Sequence, residues 1–324
     1  MRNVINNHSN KRQGGRSIVE LMVAVTIGMA ILIAISSLFL ANKKTFRSVD
    51  DKSRLDEEGR LALNLMAYHI RMAGYGTLIS SIERADSTSG AQATTNAATY
   101  TTFSDSNGAS VDAIRGCTGG FTDSSVTLAS ISCTGTSTAP DGFLVRYVVD
   151  EYSGNTTSTA APTDCLGAAV LATTVASDPD RGKAGATLQY IVENRFYVKT
   201  TNGVPELYCQ GNGGLTNPTS NLLPGQPIAE NVETMKLTYG LNFTQGKQTI
   251  DRYLRADQMT AADWQKVIAV KVCLVVRSAT DNVATASQSY IGCDGTTTVT
   301  PSDKRLRSVF TTTVTIRSRA VGAA

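Results

Sequence analysis

The sequence has only two histidines and one tryptophan in 324 residues, and none of its six cysteines falls in a CxxC pair. It contains no GxSxG elbow, no HExxH, no Walker loop and no GxGxxG, so hydrolase, zinc-peptidase and nucleotide-dependent chemistry have no support in it. His69 is set among apolar helical stripes and reads as a packing or surface residue. The paired carboxylates Asp56/Glu57 and Asp178/Asp180 read as a solvated helix face and a turn. Zinc is disfavoured by the missing CxxC. An oxygen-rich loop, Asp105, Asn107, Gly108 and Asp112, lacks EF-hand spacing and reads as polar loop. The expectation is a protein that is not an enzyme, with no cofactor and no metal.

An excess of one charge is also missing. Thirty Lys and Arg stand against 27 Asp and Glu. Arg2, Lys11 and Arg12 lie in a first fifteen residues that hold no acid, and beyond them the counts are equal. A near-neutral body without a basic cluster and interleaved aromatics does not present the field that nucleic acid requires, so no direct nucleic-acid partner is expected. With 41% hydrophobic and 18% charged residues the chain is ordinary globular material, and wholesale disorder is excluded.

What is present begins with one long apolar run. Ile18 to Ala41 reads IVELMVAVTIGMAILIAISSLFLA, whose only charge is Glu20; about 20 apolar residues cross a bilayer as a helix. Arg2, Lys11, Arg12 and Arg16 precede it and Lys43, Lys44 and Arg47 follow, so flanking charge orients it weakly. The run is longer than the roughly 7–15 residues of a signal-peptide core, and it ends SLFLANKK, with Phe39 where cleavage wants a small residue.

The helical pattern continues past the run without a proline. Leu61, Leu65, Tyr68 and Met72 form one apolar stripe, and Ala62, Met66, Ile70 and Ala73 its neighbour, while Asp56, Glu57, Arg60, Asn64 and Arg71 take the opposite side. Gly74 and Gly76 supply the stop. The expected helix runs from 18 to 73, roughly 84 Å at 1.5 Å per residue. From Ser87 to Asn107 ten of 21 residues are Ser or Thr, which reads as loop.

Strand signals collect after Gly185. Asn202-Gly203 separates two short apolar segments, a hairpin signal. Val267–Val276 (VIAVKVCLVV) reads as a central strand with Trp264 anchoring its start, and Phe310, Thr312, Val314 and Ile316 alternate with polar residues as a half-buried one. No helix of crossover length intervenes, so the sheet is expected to be antiparallel. The six cysteines, Cys117, Cys133, Cys165, Cys209, Cys273 and Cys293, all follow the apolar run and are even in number, which in an exported domain points to disulfides. Fifteen pairings are possible. The expectation is pairing in chain order, each bond clipping a local hairpin or loop.

The junction GGRSIVE at residues 14–20 resembles the type III signal of type IV pilins and type II secretion pseudopilins. That resemblance implies cleavage between Gly15 and Arg16 by a prepilin peptidase, N-methylation, and a helix that stays attached. It also implies that Glu20, now the fifth residue, neutralises the N-terminal amine of a neighbouring subunit. A carboxylate inside hydrocarbon is unfavourable by about 2–4 kcal/mol, so it needs such a partner. Arg16 departs from the pattern, which most often places Phe there. RSIVELMVAVTIGM, RLALNLMAYHIRMAGYG, ENRFYVKTTNGVPELYC, PIAENVETMKLTYG, DWQKVIAVKVCLVVRS and RLRSVFTTTVTIRSR together resemble minor pilins of the PilW type, over residues 14–76 and about 187–319.

The resemblance implies an α+β pilin fold, a long N-terminal helix packed on a C-terminal antiparallel sheet with a large insertion between them. The expected divisions are a leader at 1–15, the helix at 16–76, a Ser/Thr-rich loop region at 77–183, a β-domain at 184–319 and a tail at 320–324. It implies a subunit that primes pilus assembly in a tip-associated complex, for twitching motility, adhesion or DNA uptake. The implied partners are other minor pilins, the major pilin, a PilY-type tip adhesin and the prepilin peptidase. The implied location is the inner membrane, with the C-terminal domain periplasmic, and then the pilus. A J-type pseudopilin of a secretion system shares this architecture, and a non-polymerising anchored adhesin is the reading of another class.

Overall fold

A computed structural model describes residues 17–75, 103–104, 110–127, 130–149, 162–175, 187–217, 220–243, 249–284 and 286–320. One helix, α1 (Ile18–Met72), spans 55 residues, one short of the expected length. It opens on Ser17, whose Oγ accepts the Val19 N–H at 3.3 Å, an N-cap the sequence reading did not single out. It ends at Gly74, where φ is 75°.

The chain divides into two compact units, residues 1–50 and 51–324. In the first, the apolar residues from Ile18 to Leu40 are exposed, so this stretch offers its hydrophobic surface in every direction. That is the surface of a helix meant for lipid or for other helices.

In the second unit the helix residues Leu55, Gly59, Ala62, Met66, Ala67, His69 and Ile70 are buried. Of the broad apolar face expected, Ala62, Met66, Ile70 and Ala73 form the buried part and Leu65 and Met72 pack at its margin, while Leu61 and Tyr68 are 54% and 57% exposed. Periodicity finds both stripes equally well, but the small Gly59 and Ala62 let the helix backbone approach the sheet. At Gly59 a Cβ would lie 2.3 Å from Cε2 of Phe310, so the ring rests directly on the helix backbone.

Among the described residues every strand pair is antiparallel. A two-residue ladder joins β1 (Phe103–Ser104) to β2 (Ser110–Val111). The first large sheet contains β3 (Ile114–Cys117), β4 (Gly142–Val149), β5 (Ala172–Val175), β6 (Thr187–Thr201), β7 (Val204–Gly211) and β8 (Gln226–Glu230). Their order is β3-β4-β6-β7-β8, with β5 also paired to β6. Between β6 and β7 the turn falls at Asn202 and Gly203, with φ of 52° and 81°, both positive as a type I′ hairpin requires. The second sheet contains β9 (Val232–Leu241), β10 (Arg252–Leu254), β11 (Val267–Arg277) and β14 (Arg307–Thr315) in the order β10-β9-β11-β14. A ladder of β12 (Tyr290–Ile291) and β13 (Thr298–Val299) lies between β11 and β14 in the chain, and a short α2 (Arg317–Ala320) follows.

Two expectations change here. Among the described residues there are two large sheets rather than one. The stretch 77–183, read as loop, contributes β3, β4 and β5 to the first of them, and Phe143, Leu144 and Val145 of β4 are fully buried. The segment GFLVRYVV is a clear apolar run, but its Ser/Thr-rich surroundings obscured it. β11 is central and buried except at Lys271 and at its last residue, Arg277, and Trp264, in the 3₁₀ turn before it, packs edge-on against Tyr239 at 4.9 Å between ring centroids.

Candidate assembly helix and its disulfide-clamped domain

Glu20 sits in the first turn of α1 on the exposed helix. An acid there complements the partial positive charge of the helix N-terminus, which lowers the cost of a charge in an apolar segment. Gly15 and Arg16, the expected processing residues, lie outside the described residues. Helix α1 is long and apolar enough over this stretch to cross a membrane.

The β-domain is tied at three points. Disulfides join Cys117 to Cys133, Cys165 to Cys209 and Cys273 to Cys293, with Cα atoms 5.1, 6.5 and 5.7 Å apart. The second fastens the loop 162–169 to β7. Asp164 fastens the same loop by hydrogen bonds, accepting from the Leu166 and Ala168 N–H groups at 2.9 and 3.0 Å and from Gly213 N–H at 2.9 Å.

Where α1 meets the first sheet, His69 is a packing residue rather than a surface one, in company that the sequence did not reveal. His69 is 5% exposed. Its Nδ1 lies 3.2 Å from the Tyr147 hydroxyl and 3.2 Å from Nδ2 of Asn194, which also donates to Tyr147 at 3.1 Å. Asn194 Oδ1 in turn accepts the Cys165 N–H at 2.9 Å, so helix, sheet and clamped loop meet in one polar node. Burial lowers the His69 pKa to about 4, against a smaller upward pull from Asp164. At neutral pH the ring is uncharged. Burial likewise raises the Tyr147 hydroxyl.

Beside it, β4 and β6 carry a buried ion cluster. Glu193 accepts from Arg146 Nε and Arg195 Nε, each at 2.6 Å, and the Arg195 side chain is 1% exposed. Arg195 Nη1 also donates to the carbonyls of Ser124 and Val126 at 2.6 Å. Burial would raise the Glu193 carboxyl, but the two guanidinium groups outweigh it and hold it below the usual range. Every charge is paired, which is the condition for burying it. These groups tie β4, β6 and the 124–126 loop together.

Among the described residues no three His, Cys, Asp or Glu side chains are grouped to hold a metal. Of the oxygen-rich loop only Asp112 is described. Asp178 and Asp180 lie outside the described residues, while Asp56 is half-buried and Glu57 exposed on α1.

An exposed apolar helix carrying one carboxylate, long and apolar enough to cross a membrane, is joined to a disulfide-tied antiparallel β-domain. Residues 195–318 match the family model of PilW, the type IV pilus-assembly protein W. That match covers under half of the chain, and over those residues the chain resembles PilW-type pilus-assembly proteins. No curated protein matches the sequence. Among solved structures, a type IV-like pilin from Thermus thermophilus is similar at a TM-score of 0.34 and 12% identity, over 82% of this chain and 97% of that one. That likeness is too distant to add weight, and the family match carries the resemblance.

Proposed function

We propose that this protein is a minor pilin of a type IV pilus that helps to prime assembly within a tip-associated complex. The observation that carries the reading is the exposed apolar helix from Ile18, with its single carboxylate at Glu20, on a chain whose β-domain matches the pilus-assembly family. In this reading residues 1–15 are a leader removed by prepilin peptidase after Gly15. The amine of Arg16 is then methylated, and Glu20 neutralises the corresponding amine of a neighbouring pilin. The helix holds the subunit in the inner membrane with the β-domain periplasmic, and later in the pilus beside other minor pilins and the major pilin. Residues 51–324 meet the tip partners, a PilY-type adhesin among them, and the pilus serves twitching motility, adhesion or DNA uptake.

The test is the N-terminal mass of the protein from membranes with and without the peptidase. A start at Arg16 only when the peptidase is present supports the reading; an intact Met1 in both, or a start beyond Ala41, overturns it. Glu20→Ala is then expected to abolish piliation while the protein stays in the membrane. Loss of secretion rather than twitching on disrupting the gene would assign the subunit to a pseudopilus instead.

A further inference from the structure

Beside β3, where the first sheet meets the two 3₁₀ turns at 256–258 and 261–266, there is a cavity of about 190 Å³. The turns give it apolar walls, Ala256, Met259, Ala261 and Trp264, and the other side is Arg115 and Gly116 of β3 with the preceding Asp112. Ala261 is exposed, so the cavity opens to solvent. An apolar cavity of roughly 150 Å³ takes a benzene ring, so this one has room for an apolar body of about six heavy atoms.

Three hydrogen-bond donors border the cavity without an acceptor among the described residues. The first is the half-buried Arg115 guanidinium, which no ion pair or side-chain hydrogen bond reaches. The second is the Gly116 N–H. Arg146 N–H donates to the Ala113 carbonyl at 2.8 Å, in register with the pair Ile114–Val145, so Ala113, Arg115 and Cys117 bond to β4 and the backbone of Gly116 turns to the open edge. The Gly116 carbonyl there lies 3.9 Å from Cys133 Sγ. The third is the Tyr239 hydroxyl, fully buried and unpartnered. A β-carbon at Gly116 would collide with it, so it stands directly behind the glycine, and its ring packs on Trp264. Burial, and to a smaller extent Asp141, push its pKa well up, so it remains a donor.

We propose that this cavity binds a small carboxylate with a branched or aromatic apolar body, the carboxylate on Arg115 and the Gly116 N–H and the body against Met259 and Trp264. Donors left without acceptors select an acceptor, and a guanidinium selects a planar anion. Phosphate or sulfate would satisfy the guanidinium but leave the apolar walls unfilled. Asp112 already has an interaction of its own, and its charge on the same wall keeps the affinity modest. The required group is presented alike by a free acid and by the C-terminal residue of a peptide. The inference is independent of any role in a pilus.

Trp264 is the single tryptophan of the chain, so its fluorescence reports on the cavity directly. The full chain in detergent is titrated with 4-methylpentanoate, with the corresponding amide, and with N-acetyl-glycyl-leucine. A saturable change is expected with a carboxylate, and binding about tenfold weaker with the amide. Tighter binding of the peptide than of the free acid assigns the site to a peptide end, and the reverse assigns it to a free acid. Arg115→Gln should weaken carboxylate binding about tenfold. Ala261→Phe, at an exposed position, should abolish it by filling the cavity while thermal unfolding stays unchanged, which keeps the test valid if the arginine variant misfolds. No saturable change with either carboxylate, equal binding of acid and amide, or affinity unaltered by either substitution would overturn the inference.

Discussion

A buried histidine that must stay uncharged makes the domain sensitive to acid through one residue. His69 has a pKa near 4 in the folded protein against 6.5 unfolded, so between these values the unfolded chain binds the extra proton. Stability is therefore full above about pH 6.5 and falls as pH drops toward 4, by about 3 kcal/mol if His69 acts alone. Chemical denaturation from pH 7 to pH 4 should show this slope, and His69→Asn, which has nothing to titrate, should flatten it while starting from lower stability. A slope unchanged in the variant would place the acid sensitivity elsewhere. The sequence could place His69 in an apolar stripe, since helical spacing is local. It could not find Tyr147 and Asn194, which come from strands 78 and 125 residues away and meet His69 only after the sheet has formed.

At the scale of elements, the docking of α1 depends on Gly59. A methyl group there would meet the Phe310 ring at 2.3 Å, so Gly59→Ala must push the ring or the helix aside. The gain in helix propensity, about 1 kcal/mol, is set against overpacking of about 1–3 kcal/mol, so a net loss is expected in thermal unfolding. Phe310→Leu in the same chain should recover part of it. Among the disulfides, Cys165–Cys209 closes a longer loop than Cys273–Cys293, 44 residues apart against 20. The chain-entropy relation then makes its removal costlier by about 0.7 kcal/mol. Paired Cys→Ala variants measured by denaturant midpoint would check the order. These elements differ in how readable they were. The β6–β7 hairpin announces itself by Asn202-Gly203 and β11 by its β-branched run, both short-range signals. β4 belongs to the same sheet as that hairpin, yet its neighbours are long Ser/Thr-rich stretches, and composition averaged over that region hid eight residues that lie at the centre of the fold.

On the scale of the whole molecule, the chain divides into two compact units, residues 1–50 and 51–324. The core of the second unit begins at Leu55, and no described residue before it contributes a buried apolar side chain. Its other fastenings, the three disulfides, the His69 node and the Glu193 cluster, also lie beyond residue 50. Asp51 accepts a hydrogen bond from Thr280 at 3.3 Å, within the same unit. The apolar stretch from Ile18 can therefore be specialised entirely for lipid and for other helices, at no cost to the fold it carries. It follows that a chain starting at Asp51 and exported to an oxidising compartment should fold by itself. It should form the same three disulfides, remain soluble without detergent and fail to sediment with membranes. Its unfolding transition should be single and within a few degrees of that of the full chain in detergent, since the removed residues bury nothing in the core. Free thiols by mass mapping, or a broad transition, would show instead that the helix before residue 51 takes part in holding the β-domain together.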